Sequence, residues 1–235
     1  MQSQDINKVI EVSNIVAQYG ATPVLDGVSL SVNRGDFVAI TGPNGGGKST
    51  LLKILLRILK PVKGSVTYYK GGEPVDSLTF GYLPQKNNID SRFPITVREV
   101  VASGLYRGSK NWRGKFGKES NARIDEVLEL VGMQDLQNRV IGALSGGQLQ
   151  RSLFGRALIS NPEVVVLDEP LSYIDRTFTN QMYKIVEDVS KGATVIVVSH
   201  EMTVISELAN RHLLVDHDIH ECHASHHYLK TDCDV

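Results

Sequence analysis

Gly42-Pro-Asn-Gly-Gly-Gly47-Lys48-Ser49-Thr50 fits the phosphate-binding pattern GxxxxGK[ST]. It lies between a compact apolar run, Asp36 to Thr41, and a segment of helical character, Lys48 to Leu59, so a strand should feed a glycine-rich turn that opens a helix. The pattern requires that context. Glycines let main-chain N–H groups close around phosphate oxygens, and the helix N-terminus adds its partial positive charge. Lys48 would reach the terminal phosphates of a nucleotide and the Ser49 hydroxyl would hold Mg²⁺. A flexible glycine turn is the competing reading.

Working outward, Val9 to Gln18 and Val24 to Val32 read as half-buried antiparallel strands. Pro61 ends the helix after the glycine loop, Gly64 opens another strand (Ser65 to Tyr69), and Gly71, Gly72 and Pro74 mark a loop before Phe80 to Leu83. From about Asn88 to Ser160 the chain reads as mostly helical. Thr96-Val-Arg-Glu99 is a capping box, and Ile124, Val127, Leu128 and Val131 fall at i, i+3, i+4 and i+7. Strand-helix order returns with strand Val164 to Leu167, helix Thr177 to Val189, strand Thr194 to Val198, helix Met202 to Ala209 and strand His212 to Val215. The expected fold is therefore α/β. Residues of about 1–87 and 161–215 would form a core, about 88–160 an inserted helical subdomain, and 216–235 a tail.

The chain has 235 residues, 41% of them hydrophobic and 22% charged, which is globular composition with enough apolar material for a real core. Twenty-five Lys and Arg against 26 Asp and Glu leave a net charge of -1, so electrostatic capture of nucleic acid or an anionic membrane is not favoured. No apolar run approaches the roughly 18 residues of a membrane span, and Met1 to Gly20 lacks the basic and apolar regions of a signal peptide. Cys222 and Cys233 both lie near the end of the sequence and cannot staple the body of the fold. The expectation is a cytoplasmic chain.

Val164-Val-Val-Leu167-Asp168-Glu169 is an apolar strand ending in two carboxylates. Alone it proves little, because buried strands are commonly apolar and a terminal acid is often a cap. Beside a phosphate loop it suggests Asp168 for Mg²⁺ and Glu169 to orient or deprotonate an attacking water. Leu144-Ser145-Gly146-Gly147-Gln148 opens a helix expected over Leu149 to Ile159, as a second glycine-rich helix start suited to phosphate or as an ordinary cap.

GPNGGGKST, LSGGQ and VVVLDE in this order strongly resemble the ATP-binding subunits of ABC transporters, and the likeness runs from Val9 to Val215. It implies a P-loop ABC ATPase fold with a mixed core sheet, an N-terminal antiparallel β region and an inserted helical subdomain. It also implies ATP and Mg²⁺, with Gly42, Pro43, Asn44, Gly45, Gly46, Gly47, Lys48, Ser49 and Thr50 around the nucleotide. A head-to-tail dimer follows, in which Leu144, Ser145, Gly146, Gly147 and Gln148 close on ATP held by the other subunit. Gln85 matches the Q-loop residue that contacts Mg²⁺ or the lytic water, and His200 the switch histidine that donates to the γ-phosphate. Asp175 matches the D-loop aspartate. Tyr19 matches the aromatic that stacks on adenine, with an edge-strand core tyrosine as the alternative. Gly46 stands where the family more often has a slightly larger small residue, and Tyr173-Ile174 replaces its usual Gly-Leu.

The resemblance implies separate integral membrane permease subunits, docked on the helical subdomain near Gln85 to Leu105, and through them a substrate-binding protein, at the cytoplasmic face of the membrane. Arg92 to Gly104 looks like the segment of importers for manganese, zinc and iron chelates, and a capped helix that any membrane partner uses is its plain alternative. Importers of iron-siderophore or haem complexes, non-transport ABC ATPases acting on DNA or ribosomes, and stand-alone P-loop kinases are the other classes. The last would leave LSGGQ and His200 unexplained. Five of the seven histidines, His217, His220, His223, His226 and His227, cluster with Cys222 near the end of the sequence. Imidazole and thiolate suit Zn²⁺ or Mn²⁺, so the tail is a candidate metal site, against a plain strand with His217 on one face and His220 and Cys222 on the other.

Overall fold

Alternation of buried and exposed residues builds the first sheet. In β1 (Lys8–Tyr19) and β2 (Thr22–Asn33), Ile10, Val12, Ile15, Leu25, Val28 and Val32 are all at most 2% exposed, and polar neighbours point outward. The two strands pair antiparallel through a Gly20-Ala21 turn, and β4 (Lys63–Lys70) pairs with the other edge of β1. β5 (Glu73–Val75) closes the order β2-β1-β4-β5 through Gly71 and Gly72, both at positive φ, as a two-residue hairpin turn requires.

The structure is a computed structural model that describes residues 6–85, 90, 92–106, 116–171, 176–199 and 203–222. The chain divides into two compact units, Met1–Leu78 with Ser190–Val235, and Thr79–Val189. The first holds the antiparallel sheet and a mixed one. In the latter, β3 (Phe37–Thr41) runs parallel to both β8 (Thr194–Val198) and β9 (Arg211–Asp216), and β10 (Asp218–Cys222) turns back antiparallel on β9. Phe37 to Ile40 and Val195 to Val198 are at most 3% exposed, the run of apolar residues expected of strands covered on both faces.

Between β3 and β4 lies α1 (Lys48–Leu55), which buries Leu51, Leu52, Ile54 and Leu55. The helix stops four residues short of the expected Leu59. Arg57 takes a left-handed conformation (φ 54), Arg57 N–H donates to Ile54 O and Ile58 N–H donates to Lys53 O, the hydrogen-bond pair of a Schellman cap. Arginine holds the place glycine usually takes because its guanidinium donates to Val66 O (2.9 Å) and lies 4.0 Å over the Tyr68 ring. A short helix, α6 (Thr203–Leu208), precedes β9.

The second unit is built on β6 (Phe80–Leu83) parallel to β7 (Val164–Asp168), whose five residues are all buried. Around them come α2 (Val97–Ala102), α3 (Lys118–Leu130), α4 (Gly146–Leu158) and α5 (Arg176–Ser190). The Thr96 capping box is formed: Thr96 Oγ1 accepts from Glu99 N, and Thr96 N donates to Glu99 Oε2 at 2.8 Å. A Cβ on Gly155 of α4 would sit 3.2–3.4 Å from Val101, Val127 and Val131, so the missing side chain lets α4 approach α2 and α3 closely. Arg98 joins α2 to α3, donating to Asp125 and Asn121. No helix among the described residues is long and apolar enough to cross a membrane.

Candidate functional site

The loop from β3 to α1 is a main-chain cradle. Gly42, Gly45 and Gly47 all have positive φ (136, 87 and 101), which directs successive N–H groups inward rather than along a strand. Gly47 caps α1, and no acidic residue sits in that helix's first turn, so its positive end stays unneutralised by side chains of α1. Three glycines are also sterically fixed. A Cβ would come within 2.0 Å of Val215 O at Gly42, 2.7 Å of the same oxygen at Gly46, and 2.6 Å of a Leu25 methyl at Gly47. Glycine at position 46 is therefore what this loop admits. Lys48 is only 7% exposed, and its Nζ donates to Gly42 O (2.9 Å) and Pro43 O (2.8 Å). The ammonium is thus held inside the loop by carbonyls, where it can meet an anion without leaving a buried charge unpartnered. Ser49 follows half-buried and Thr50 buried.

Tyr19 ends β1 with 52% of its surface exposed. The edge-strand core alternative is corrected: the ring is half exposed rather than packed in the core, and so is accessible to a ligand.

In the second unit, Asp168 ends β7 at 3% exposure. Burial pushes the nearby Tyr82 hydroxyl up to about 12, with the Asp168 charge adding to it, so the tyrosine stays neutral beside the carboxylate. Glu169 has φ 50, a left-handed backbone directly before Pro170, where the proline ring disfavours helical conformations of its neighbour. Strained backbone of this kind clusters at active sites, where the surrounding structure holds it in place. Gln85 is half-buried two residues past β6.

Ser145 caps α4, which starts at Gly146 and not at the expected Leu149. Its side chain accepts from Gln148 N (3.2 Å), and Ser145 N donates to Gln148 Oε1 (3.1 Å). The S-x-x-Q pattern of a capping box was present in the sequence and moves the helix start three residues earlier. Gly146 and Gly147 thereby become its first turn. Sequence reading missed Gln150, which is fully buried on α4 and donates from Nε2 to Pro170 O at 3.4 Å, next to Glu169. A glutamine on the apolar face of a helix was the available signal.

Of the histidine and cysteine tail, His217 is not in a strand. It forms the β9–β10 turn at φ 63, and its expected place on one face of a strand is corrected because a left-handed residue is what reverses the chain here. His220 and Cys222 share one face of β10, and Cys222 lies opposite His212. Among the described residues no three His, Cys, Asp or Glu side chains come together to hold a metal ion. Asp175, His200, His223, His226 and His227 lie outside the described residues.

Within the docking region expected near Gln85 to Leu105, Phe93, Pro94, Ile95 and Arg98 line a groove of about 900 Å³ that Tyr106 and Phe116 also border. Phe93 and Tyr106 are 59% and 50% exposed, an apolar surface at odds with free solvent.

The sequence pattern described as "ABC transporter" matches residues 25–172. The chain is 40% identical over 206 residues to the high-affinity zinc uptake system ATP-binding protein ZnuC of Bacillus subtilis, covering 86% of this chain and 89% of that one. It is 35% identical to the zinc uptake system ATP-binding protein ZurA of Listeria innocua, over 95% of this chain and 90% of that one. Among solved structures it resembles a metal-chelate type ABC transporter in an inward-facing conformation (TM-score 0.77, 28% identity, 92% of this chain and 83% of that one). It also resembles a dimeric ATP-binding cassette in a post-hydrolysis state with ADP and Pi (TM-score 0.78, 27% identity, 93% and 100%).

Proposed function

The chain belongs to the ABC transporter family, and on that premise we propose that it is the ATP-hydrolysing subunit of an importer for a transition-metal ion, zinc before manganese or iron. The observation that carries the metal is the 40% identity, over most of both chains, to a zinc uptake ATP-binding protein. The glycine cradle and the caged Lys48 support ATP at Gly42 to Thr50. Adenine stacks on Tyr19. The Ser49 hydroxyl, the Gln85 amide and the Asp168 carboxylate are the oxygen donors assigned to Mg²⁺, a hard cation that takes such ligands, and the ion would neutralise charge on the phosphates.

Glu169 then orients the attacking water and accepts its proton, and His200 donates a hydrogen bond to the γ-phosphate. Leu144 to Gln148 would act on nucleotide held by a second copy of the chain, with Asp175 at the same interface. The domain reading goes with this: about 1–87 and 161–215 as catalytic core, 88–160 as helical subdomain. The exposed apolar groove around Phe93 and Tyr106 receives the membrane permease, which places the chain at the cytoplasmic face, with a substrate-binding protein on the other side and no nucleic acid. A regulatory metal on the tail would draw its ligands from His217, His220, Cys222, His223, His226 and His227, of which His220 and Cys222 share one face of β10.

The test is metal uptake by the transporter reassembled with the permease that co-purifies. Zinc-dependent ATPase and zinc uptake are expected. Uptake of an iron chelate with no response to zinc would transfer the assignment to the chelate importers, which the metal-chelate structural relative makes the second reading. For the tail, calorimetric titration of Zn²⁺ into the full chain and into a chain ending at Val215 should give binding only in the former.

A further inference from the structure

The residue that turns β9 into β10 is tied both to the nucleotide cradle and to β2. His217 N–H donates to Gly46 O at 2.9 Å, in the middle of the phosphate loop. His217 O accepts from Asp26 N at 2.9 Å, and its Nδ1 lies 3.2 Å from Val24 O, a pairing that needs the proton on Nδ1. Both partners belong to β2, the strand that leaves the hairpin carrying Tyr19. On the other side, Val24 O and Leu25 of β2 press on Gly47, and Val215 O presses on Gly42 and Gly46. The phosphate loop is thus held between β2 and the end of β9, with one residue bonded to each.

We propose that His217 is a positioning residue for nucleotide binding: its left-handed main chain clasps the Gly46 carbonyl and fixes the orientation of the loop before nucleotide arrives. The chemistry is simple. A peptide carbonyl held outward by His217 N–H turns the plane of the Gly46–Gly47 peptide, so its N–H points the other way, toward the cradle. Without the clasp the loop must be ordered by the nucleotide itself, and that ordering is subtracted from affinity. A left-handed non-glycine residue is costly, and its retention here is accounted for by three bonds that over-determine it. The clasp rests on the nucleotide reading of the loop, not on the metal reading of the tail.

The test uses the full chain with Mg²⁺ and a fluorescent N-methylanthraniloyl ATP, and ATP turnover by the assembled transporter. His217→Val cannot hold the left-handed turn easily, so it should weaken nucleotide binding and raise KM for ATP about five- to tenfold with kcat within about twofold. His217→Gly keeps the backbone and both main-chain bonds, and should bind within about twofold of wild type. A merely structural turn would instead lower the active fraction, reducing kcat at unchanged KM. Equal affinity of His217→Val and wild type, or an equal loss in His217→Gly and His217→Val, overturns the clasp. If wild type itself fails to bind the nucleotide while remaining folded, the nucleotide reading falls and the clasp falls with it.

Discussion

Glu169 combines a half-buried carboxylate with a left-handed backbone (φ 50) immediately before a proline, a conformation worth about 1–3 kcal/mol of strain that the surrounding structure must hold. The side chain is therefore aimed by the fold and does not need a flexible search. Glu169→Gln keeps the shape and the backbone while losing the basicity, so ATP binding should persist and turnover should fall by about a hundredfold or more, leaving an ATP-bound dimer trapped. Near wild-type hydrolysis would remove Glu169 from its role. Gly46 raises a steric question of the same size. An added methyl would meet Val215 O at 2.7 Å and the Asp216 Cα and Pro43 Cγ at 3.2 Å, with main chain among the obstacles. Gly46→Ala should cost about 1–3 kcal/mol of stability and raise the KM for ATP, read by thermal unfolding and turnover. An unchanged melting temperature and KM would show that the loop accommodates the larger residue.

At the scale of single elements, the start of α4 separates a structural from a chemical use of one hydroxyl. Ser145 closes a capping box with Gln148, a contribution of about 1 kcal/mol that aspartate would also supply. Ser145→Asp should therefore retain stability, yet place a negative charge where the proposed reading puts a γ-phosphate, and abolish ATP turnover. Full activity in a stable Ser145→Asp variant would reduce LSGGQ to a cap. Elements of this local kind were legible in the sequence: the glycine loop, the box at Thr96, and the alternating strands β1 and β2 all follow from spacing within a few residues. What spacing does not encode lay elsewhere. Arg57 ends α1 early because its guanidinium finds Val66 and the Tyr68 ring, and His217 leaves the strand pattern because its main chain finds Gly46 and Asp26. Gln150 stood out only as a polar residue on an apolar helix face, and its partner Pro170 was not readable from spacing. Each depends on a partner remote in sequence, which periodicity cannot name.

On the scale of the whole molecule, the unit holding the phosphate loop should weaken in acid. Glu11 is held below its ordinary value, first by the Tyr69 hydroxyl donating to it at 2.7 Å and then by Lys8, and His212 is lowered by burial. Both groups bind protons more readily when unfolded, so their stabilisation is present above the unfolded values and is lost as pH falls: His212 below about 6.5, Glu11 below about 4.5. Denaturant midpoints measured from pH 7 to 4 should decline, and Tyr69→Phe should flatten the lower part; a rising midpoint would reverse the sign. The larger question is whether one molecule is a complete enzyme. If the phosphate loop of one subunit and the LSGGQ segment of another form each site, a dimer of one Ser145→Arg and one Lys48→Ala chain pairs an intact loop with an intact signature once. Its second site carries both lesions. Each variant alone should be inactive, because every site in its dimer lacks one part. Mixed in equal amounts with random pairing, half of the dimers are heterodimers and half of their sites are whole, so about a quarter of wild-type activity should return. A chain that hydrolyses ATP with its own signature segment would give no recovery at any ratio, since no chain in the mixture is intact. Cross-linking or tagged pull-down establishes that the mixed dimers form, and inactivity of such verified heterodimers would sink the shared site.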